Sequence, residues 1–242
     1  MIRLILLTLT IFASSSLFAE KITAAGDPWP PFLDPNQTNK GLIAEIATAA
    51  YATQGYELEI TFVPWARAIK GVNNATFDLL LGTWLTEERT KFLLYSEPYL
   101  SNSIKFIKKK GNTFDYSGLE SLSGKSIGIV RGYGYGDDFL NAKHFKRPEA
   151  RNLISNIRKL IAGRIDLTLE DEIVARTIIA KEQPELLAAI EFSNTDYSSN
   201  TLHVTSGLAN AKHKVFIEAF NKGLVEIKNN GTYDKILSSL NK

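Results

Sequence analysis

Three histidines, His144, His203 and His213, lie scattered along the 242-residue chain without a His-x-x-x-His spacing, and cysteine is absent. No metal-ligand pattern or nucleophile–base pair results, so neither metal-assisted nor covalent catalysis has residues to rest on. The run Gly132-Tyr133-Gly134-Tyr135-Gly136 lacks the trailing Lys and Ser or Thr of a phosphate loop. The residues that remain suit recognition. They are Trp29, held between Pro28 and Pro30, Trp65 with Arg67 two positions on, Thr83-Trp84, Arg89, Arg131, Tyr133, Tyr135 and Asp171. A guanidinium donates two parallel hydrogen bonds to a carboxylate, which Lys does not reproduce, and a rigid indole offers a flat apolar face that also attracts cations. Each has a plainer reading. Arg89 could pair with Glu87 or Glu88 at a helix start, Asp171 could satisfy backbone N–H groups at a helix N-terminus, and Trp29 could be core.

The elements needed to position these residues alternate short β-rich runs with helical periods, the pattern of an α/β protein with largely parallel sheets. Strands are predicted at residues 21–25, 58–63, 77–81, 103–108, 127–130, 165–169 and 200–207. Leu42, Ile43, Ile46, Ala47, Ala50 and Tyr51 recur at helical spacing and stop at Gly55, as a left-handed cap would. Further helices are predicted at 66–73 after Pro64, at 137–140, 152–162 and 171–181, and through Phe216, Phe220, Leu224 and Ile227. The basic run Lys108-Lys109-Lys110 reads as a solvated loop. If the chain crosses out of a first domain near Ser103 and returns near Val204, the C-terminal helices rejoin that domain, and a ligand belongs in the cleft between the two.

Arg3, the apolar stretch 4–12 and the small-residue stretch 13–19 read as a secretory signal cut after Ala19, since Thr8, Thr10 and three serines interrupt the ~20 apolar residues that a membrane anchor needs. The expected mature chain has 223 residues (242 − 19) and, with Arg3 gone, 27 cations against 26 acids. A net charge of +1 is too weak a bias to suggest a nucleic-acid surface, and no nucleic-acid partner is expected. Without cysteine there is no disulfide and no lipid anchored through an N-terminal Cys, so a freely diffusing periplasmic monomer is expected.

Taken in order, Gly26-Asp27-Pro28-Trp29-Pro30-Pro31-Phe32, Phe77-Asp78-Leu79-Leu80-Leu81-Gly82, Leu85-Thr86-Glu87-Glu88-Arg89, Tyr95-Ser96-Glu97-Pro98-Tyr99, Leu122-Ser123-Gly124-Lys125-Ser126-Ile127-Gly128-Ile129, Ala162-Gly163-Arg164-Ile165-Asp166 and Asn230-Gly231-Thr232-Tyr233-Asp234-Lys235-Ile236 span the mature chain. This set resembles the extracytoplasmic solute-binding proteins of the polar amino-acid class, family 3. The resemblance implies a type II periplasmic-binding-protein clamshell with two hinge crossings. Its lobes would be residues 20–103 with 206–242, and 104–205. It also implies a small solute delivered to an inner-membrane ABC permease, with no cofactor. Carried over by position, it assigns Arg89 to the ligand carboxylate, Asp171 to the ligand ammonium (a role Glu170 or Glu172 could take), and Trp29 to stacking on the ligand. Trp65 starts a helix whose counterpart lines the cleft.

Three departures bear on the ligand. Thr83-Trp84 stands where the family has a Ser or Thr, so either residue could line the pocket; Arg131-Gly132-Tyr133-Gly134-Tyr135-Gly136 replaces a hydroxyl-bearing anion loop; and Pro64-Trp65-Ala66-Arg67 joins an aromatic to a cation. Five aromatics around Arg67, Arg89 and Arg131 suit an aromatic or more anionic solute. Two alternatives share the fold: a sensor module feeding a membrane receptor, and a periplasmic dehydratase acting on aromatic amino-acid precursors.

Overall fold

The computed structural model describes residues 19–238, so the signal reading of residues 1–18 falls outside it. The first strand, β1 (Glu20–Gly26), leads through the Trp29 turn into α1 (Leu42–Thr53), β2 (Tyr56–Phe62), α2 (Trp65–Asn73) and β3 (Leu79–Trp84). Then come α3 (Glu87–Thr90), β4 (Leu93–Tyr95) and the long β5 (Leu100–Lys109). The next unit is β6 (Ile127–Val130), α4 (Asp137–Asn141), β7 (Glu149–Ala150), α5 (Leu153–Ile161), β8 (Leu167–Asp171) and α6 (Glu172–Glu182). The chain finishes with β9 (Ile190–Gly207), α7 (His213–Asn229) and α8 (Thr232–Leu237).

Among the described residues the strands order as β2-β1-β3-β9-β5-β8-β6-β7, with β4 on β9. Pairings at the two ends, β1 with β2 and β3 and β6 with β7 and β8, are parallel, as helical crossovers require. The middle is antiparallel, which the expectation of a largely parallel sheet did not include. There β5 and β9 pair along their length, from Leu100 against Leu202 to Lys109 against Ile190. The upper part of β9 also pairs with β3 and β4, and the lower part of β5 with β8 from Ile104 onward. These two strands therefore run from one half of the molecule into the other. They change partners near 103 in β5 and near 200–202 in β9. Most of β9 was missed because Ser, Asn, Thr and Asp crowd residues 193–201, a composition that reads as loop.

The C-terminal helices return to the first half. Tyr51 of α1 donates to the Phe216 carbonyl of α7 at 3.1 Å, and Phe220 packs between Tyr51 and Tyr99. Lys108 departs from the solvated-loop reading: it is buried, with its ammonium tied to the Phe114 carbonyl at 2.7 Å, while Lys109 and Lys110 are exposed. No helix among the described residues is long and apolar enough to cross a membrane.

Because Phe220 is fully buried at the junction of α1, α7 and the first crossing, Phe220→Ala is expected to lower stability by about 3–5 kcal/mol in equilibrium urea denaturation. A loss below about 1 kcal/mol would contradict the docking of α7 on the first half.

Candidate functional site

Arg89 sits where the two halves meet. Thr86 caps α3 by accepting from the Arg89 backbone N–H at 3.3 Å, which fixes the start of the short helix that carries the side chain. Arg89 is only 6% exposed as a residue, and its guanidinium donates to the Trp84 carbonyl at 3.0 Å and to the Gly132 carbonyl, from the opposite half, at 2.7 Å. Its carbon lies 5.6 Å from the centre of the Trp65 ring. Among the described residues no carboxylate pairs with it within 4.0 Å. Burial pulls its pKa down from the ordinary value, as expected for a charge with only neutral partners.

Aromatic rings enclose it. Trp84 packs edge-on against Trp29 and Tyr133 at centroid distances of 6.0 and 5.6 Å, and Tyr133 packs edge-on against Trp65 at 6.2 Å. The Trp65 indole donates to the same Gly132 carbonyl at 2.9 Å. Gly132 and Gly134 make this approach possible. Gly132 has φ +78°, and a Cβ on Gly134 would fall 2.7 Å from an Arg89 nitrogen.

Two carboxyls complete the wall. The Tyr133 hydroxyl donates to Asp27 at 2.8 Å, and the Trp29 indole donates to Glu170 at 3.1 Å, each bond joining one half to the other. Burial pushes Asp27 up to about 7 and Glu170 up to about 8, the latter helped by the nearby Asp171 and Asp27 charges. Both carboxyls therefore hold their protons to higher pH than exposed ones do.

The structure thus brings Trp29, Trp65, Trp84, Arg89 and Tyr133 together. It does not bring Arg67, which is exposed on α2, or Arg131, which is exposed and paired with Glu149 at 2.8 Å. Trp84 faces the cleft, whereas Thr83, one residue earlier on the strand, points behind it to share a hydrogen bond with Thr205 at 3.0 Å. Asp171 caps α6 by accepting from the Val174 N–H and receives the Asn102 amide at 3.3 Å; Asn102 in turn accepts from the Trp84 indole. Glu170, next to it, is the carboxyl that meets Trp29. Asp27 and Asn102 were missed as site residues. Asp27 carried a signal in standing two positions before Trp29 on the loop leaving β1, but Asn102 had none.

A family model for bacterial extracellular solute-binding proteins, family 3, matches residues 22–240. The chain belongs to this family. It is 28% identical over 237 residues to the arginine-binding periplasmic protein of Mannheimia haemolytica, covering 96% of this chain and 95% of that one. A mutant of ArgBP from T. maritima superposes with a TM-score of 0.75 at 22% identity, covering 91% and 94% of the two chains. A histidine kinase sensor domain with similarity to periplasmic binding proteins gives a TM-score of 0.79 at 18% identity, covering 92% and 96%. The fold is the two-lobed α/β clamshell of periplasmic binding proteins. As a family 3 member the chain is a solute-binding protein and not an enzyme.

Asp27 and Glu170 hold protons more tightly in the folded protein than in the unfolded chain, where such carboxyls titrate near ~4. Their contribution is present below about pH 4 and is lost as pH rises through about 7 and 8. The melting temperature is expected to fall across this window, and to fall less steeply in Glu170→Gln. An equal slope in that variant would show that Glu170 ionises freely.

Proposed function

We propose that this protein binds the carboxylate of a compact solute, an amino acid or a related compound, on Arg89 in the cleft between residues 20–103 with 206–242 and residues 104–205. It would work in the periplasm as the substrate-binding component of an ABC-type importer. The observation that carries this reading is a buried guanidinium that reaches across the interlobe cleft and finds only carbonyls. The Gly132 carbonyl holds the place that a ligand carboxylate would take, and two charge-assisted bonds to an anion are stronger than the bonds to neutral acceptors that they replace. The relatives support the class. Besides the Mannheimia protein they include an L-cystine-binding protein of Escherichia coli, 25% identical over 212 residues. Among the described residues Arg67 and Arg131 lie outside the chamber of Arg89, and Arg89 is the one cation that lines it, which favours a single carboxylate over a more anionic solute. The lining aromatics pack against one another, which favours a compact solute over a large aromatic one.

Ligand binding would then shift a population between open and closed lobes, because only the closed form engages both walls. Calorimetry with the proteinogenic amino acids is expected to detect a ligand. Arg89→Ala is expected to weaken it by at least about 100-fold, as loss of two charge-assisted hydrogen bonds implies, while circular dichroism shows the fold intact. Arg89→Lys is expected to rescue little of that loss, because an ammonium does not reproduce the two-pronged geometry. Unchanged affinity in Arg89→Ala would overturn the proposal.

A further inference from the structure

A second space between the two halves, which Arg89 does not line, is a groove of about 340 Å³. That volume lies in the range of small-molecule sites. Apolar side chains form much of its wall, with Phe62, Val63 and Pro64 from one half and Leu153, Ile154 and Ile178 from the other. Two carboxyls line it from opposite halves, Asp27 on the loop after β1 and Glu170 on β8.

Glu170 is only 1% exposed. Its Oε1 accepts from the Trp29 indole at 3.1 Å and from the Asp171 N–H at 3.0 Å, whereas among the described residues its Oε2 has no hydrogen-bond partner. Asp27 accepts the Tyr133 hydroxyl on Oδ2. Among the described residues no cation lies within 4.0 Å of either carboxyl. The other charged or titratable groups around Glu170 are Asp171 beside it, Tyr133 and Tyr135 on the loop after β6, Glu182 at the end of α6 and Arg151 before α5. Of these only Arg151 is a cation, and it is exposed. Burial raises both carboxyls, and the Asp27 charge adds to the rise at Glu170. A cation placed between them relieves that cost, because an opposite charge favours the ionised form. Among the described residues no cluster of three or more His, Cys, Asp or Glu offers a metal site, and the apolar walls suit an alkyl chain.

We propose that this groove is a binding site for an alkylammonium ion, with its charge held between Asp27 and Glu170 and its chain laid along Phe62, Val63 and Ile154. An ammonium carries three N–H donors, enough to reach Glu170 Oε2 and an oxygen of Asp27 together. Because the two carboxyls come from opposite halves, a cation bound to both also holds the halves together. The site stands apart from the reading of Arg89, since it requires a cation and no carboxylate. Its occupant is either a free amine or the ammonium end of a longer solute.

The test is calorimetry at about pH 9, where both carboxyls are ionised and an alkylamine still carries its proton. Pentylamine is expected to bind, and pentanol, of the same length without the charge, to bind at least about tenfold more weakly. Glu170→Gln and Asp27→Asn, which keep size and a hydrogen-bond acceptor, are each expected to weaken pentylamine at least about tenfold and to leave pentanol unchanged. On the wild-type protein, lowering the pH to about 6 is expected to weaken pentylamine in the same way, because the carboxyls then hold protons. Absence of pentylamine binding, pentanol binding as tightly as pentylamine, or pentylamine affinity unchanged in both variants would overturn the proposal. If a variant does not melt cooperatively, the pentanol and pH comparisons on the wild-type protein decide. Pentylamine has no carboxylate, so its result does not depend on the role of Arg89. The same chain with a carboxylate added, 5-aminopentanoate, identifies the source: tighter binding than pentylamine assigns the ammonium to the end of a carboxylate-bearing solute, and binding no tighter assigns the groove to a free amine, each with the site upheld.

Discussion

The cleft depends on one constraint, a guanidinium removed from water without a carboxylate to neutralise it. Burying a charge is costly, and Arg89 offsets part of that cost with two hydrogen bonds to carbonyls from two different lobes. This binds the arrangement of everything nearby. The Thr86 cap fixes the backbone at Arg89, glycines at 132 and 134 let the opposite loop approach, and Trp65 covers the cation with its face. A solute that supplies a carboxylate relieves the same constraint more completely than a backbone carbonyl does. If Arg89 is the carboxylate site proposed above, the protein's own closed contacts are a weaker version of the contacts a ligand would make.

Closure also couples the site to the rest of the fold. Besides Arg89, the lobes are joined by Tyr133 to Asp27, Trp29 to Glu170, and Lys181 to Asp34 at 3.4 Å. The bonds from Trp84 to Asn102 and from Asn102 to Asp171 pass through β5, one of the two crossing strands. A change at the cleft wall thus reaches the segment about which the lobes would turn. Burial raises the pKa values of Asp27 and Glu170, the two carboxyls that accept these bonds across the cleft.

Much of this architecture was legible in the sequence, for physical reasons that differ between elements. The periodicity of α1 and α7 reports a buried stripe, and Gly55 with φ +79° ends its helix as its residue type indicates. The run 127–130 coincides with β6 because a strand covered on both faces is continuously apolar. The polar half of β9 was not legible, since its stability comes from pairing with β5 and not from its own side chains. At the site, aromatic and arginine residues were recognisable by type, but their grouping was not. Arg67 and Arg131 share composition with Arg89, yet the one lies on the exposed side of α2 and the other in the turn after β6, both at the surface. The carboxyl facing Trp29 is Glu170 and not Asp171 because consecutive residues at a strand end point in opposite directions.

The most direct measurement of the central claim removes the charge from the ligand and leaves the protein untouched. For whichever amino acid binds, calorimetry would compare it with its α-carboxamide, which keeps the size and loses the anion. If the buried guanidinium receives the carboxylate, the amide binds at least about 100-fold more weakly. An amide that binds as tightly as the acid would contradict the account.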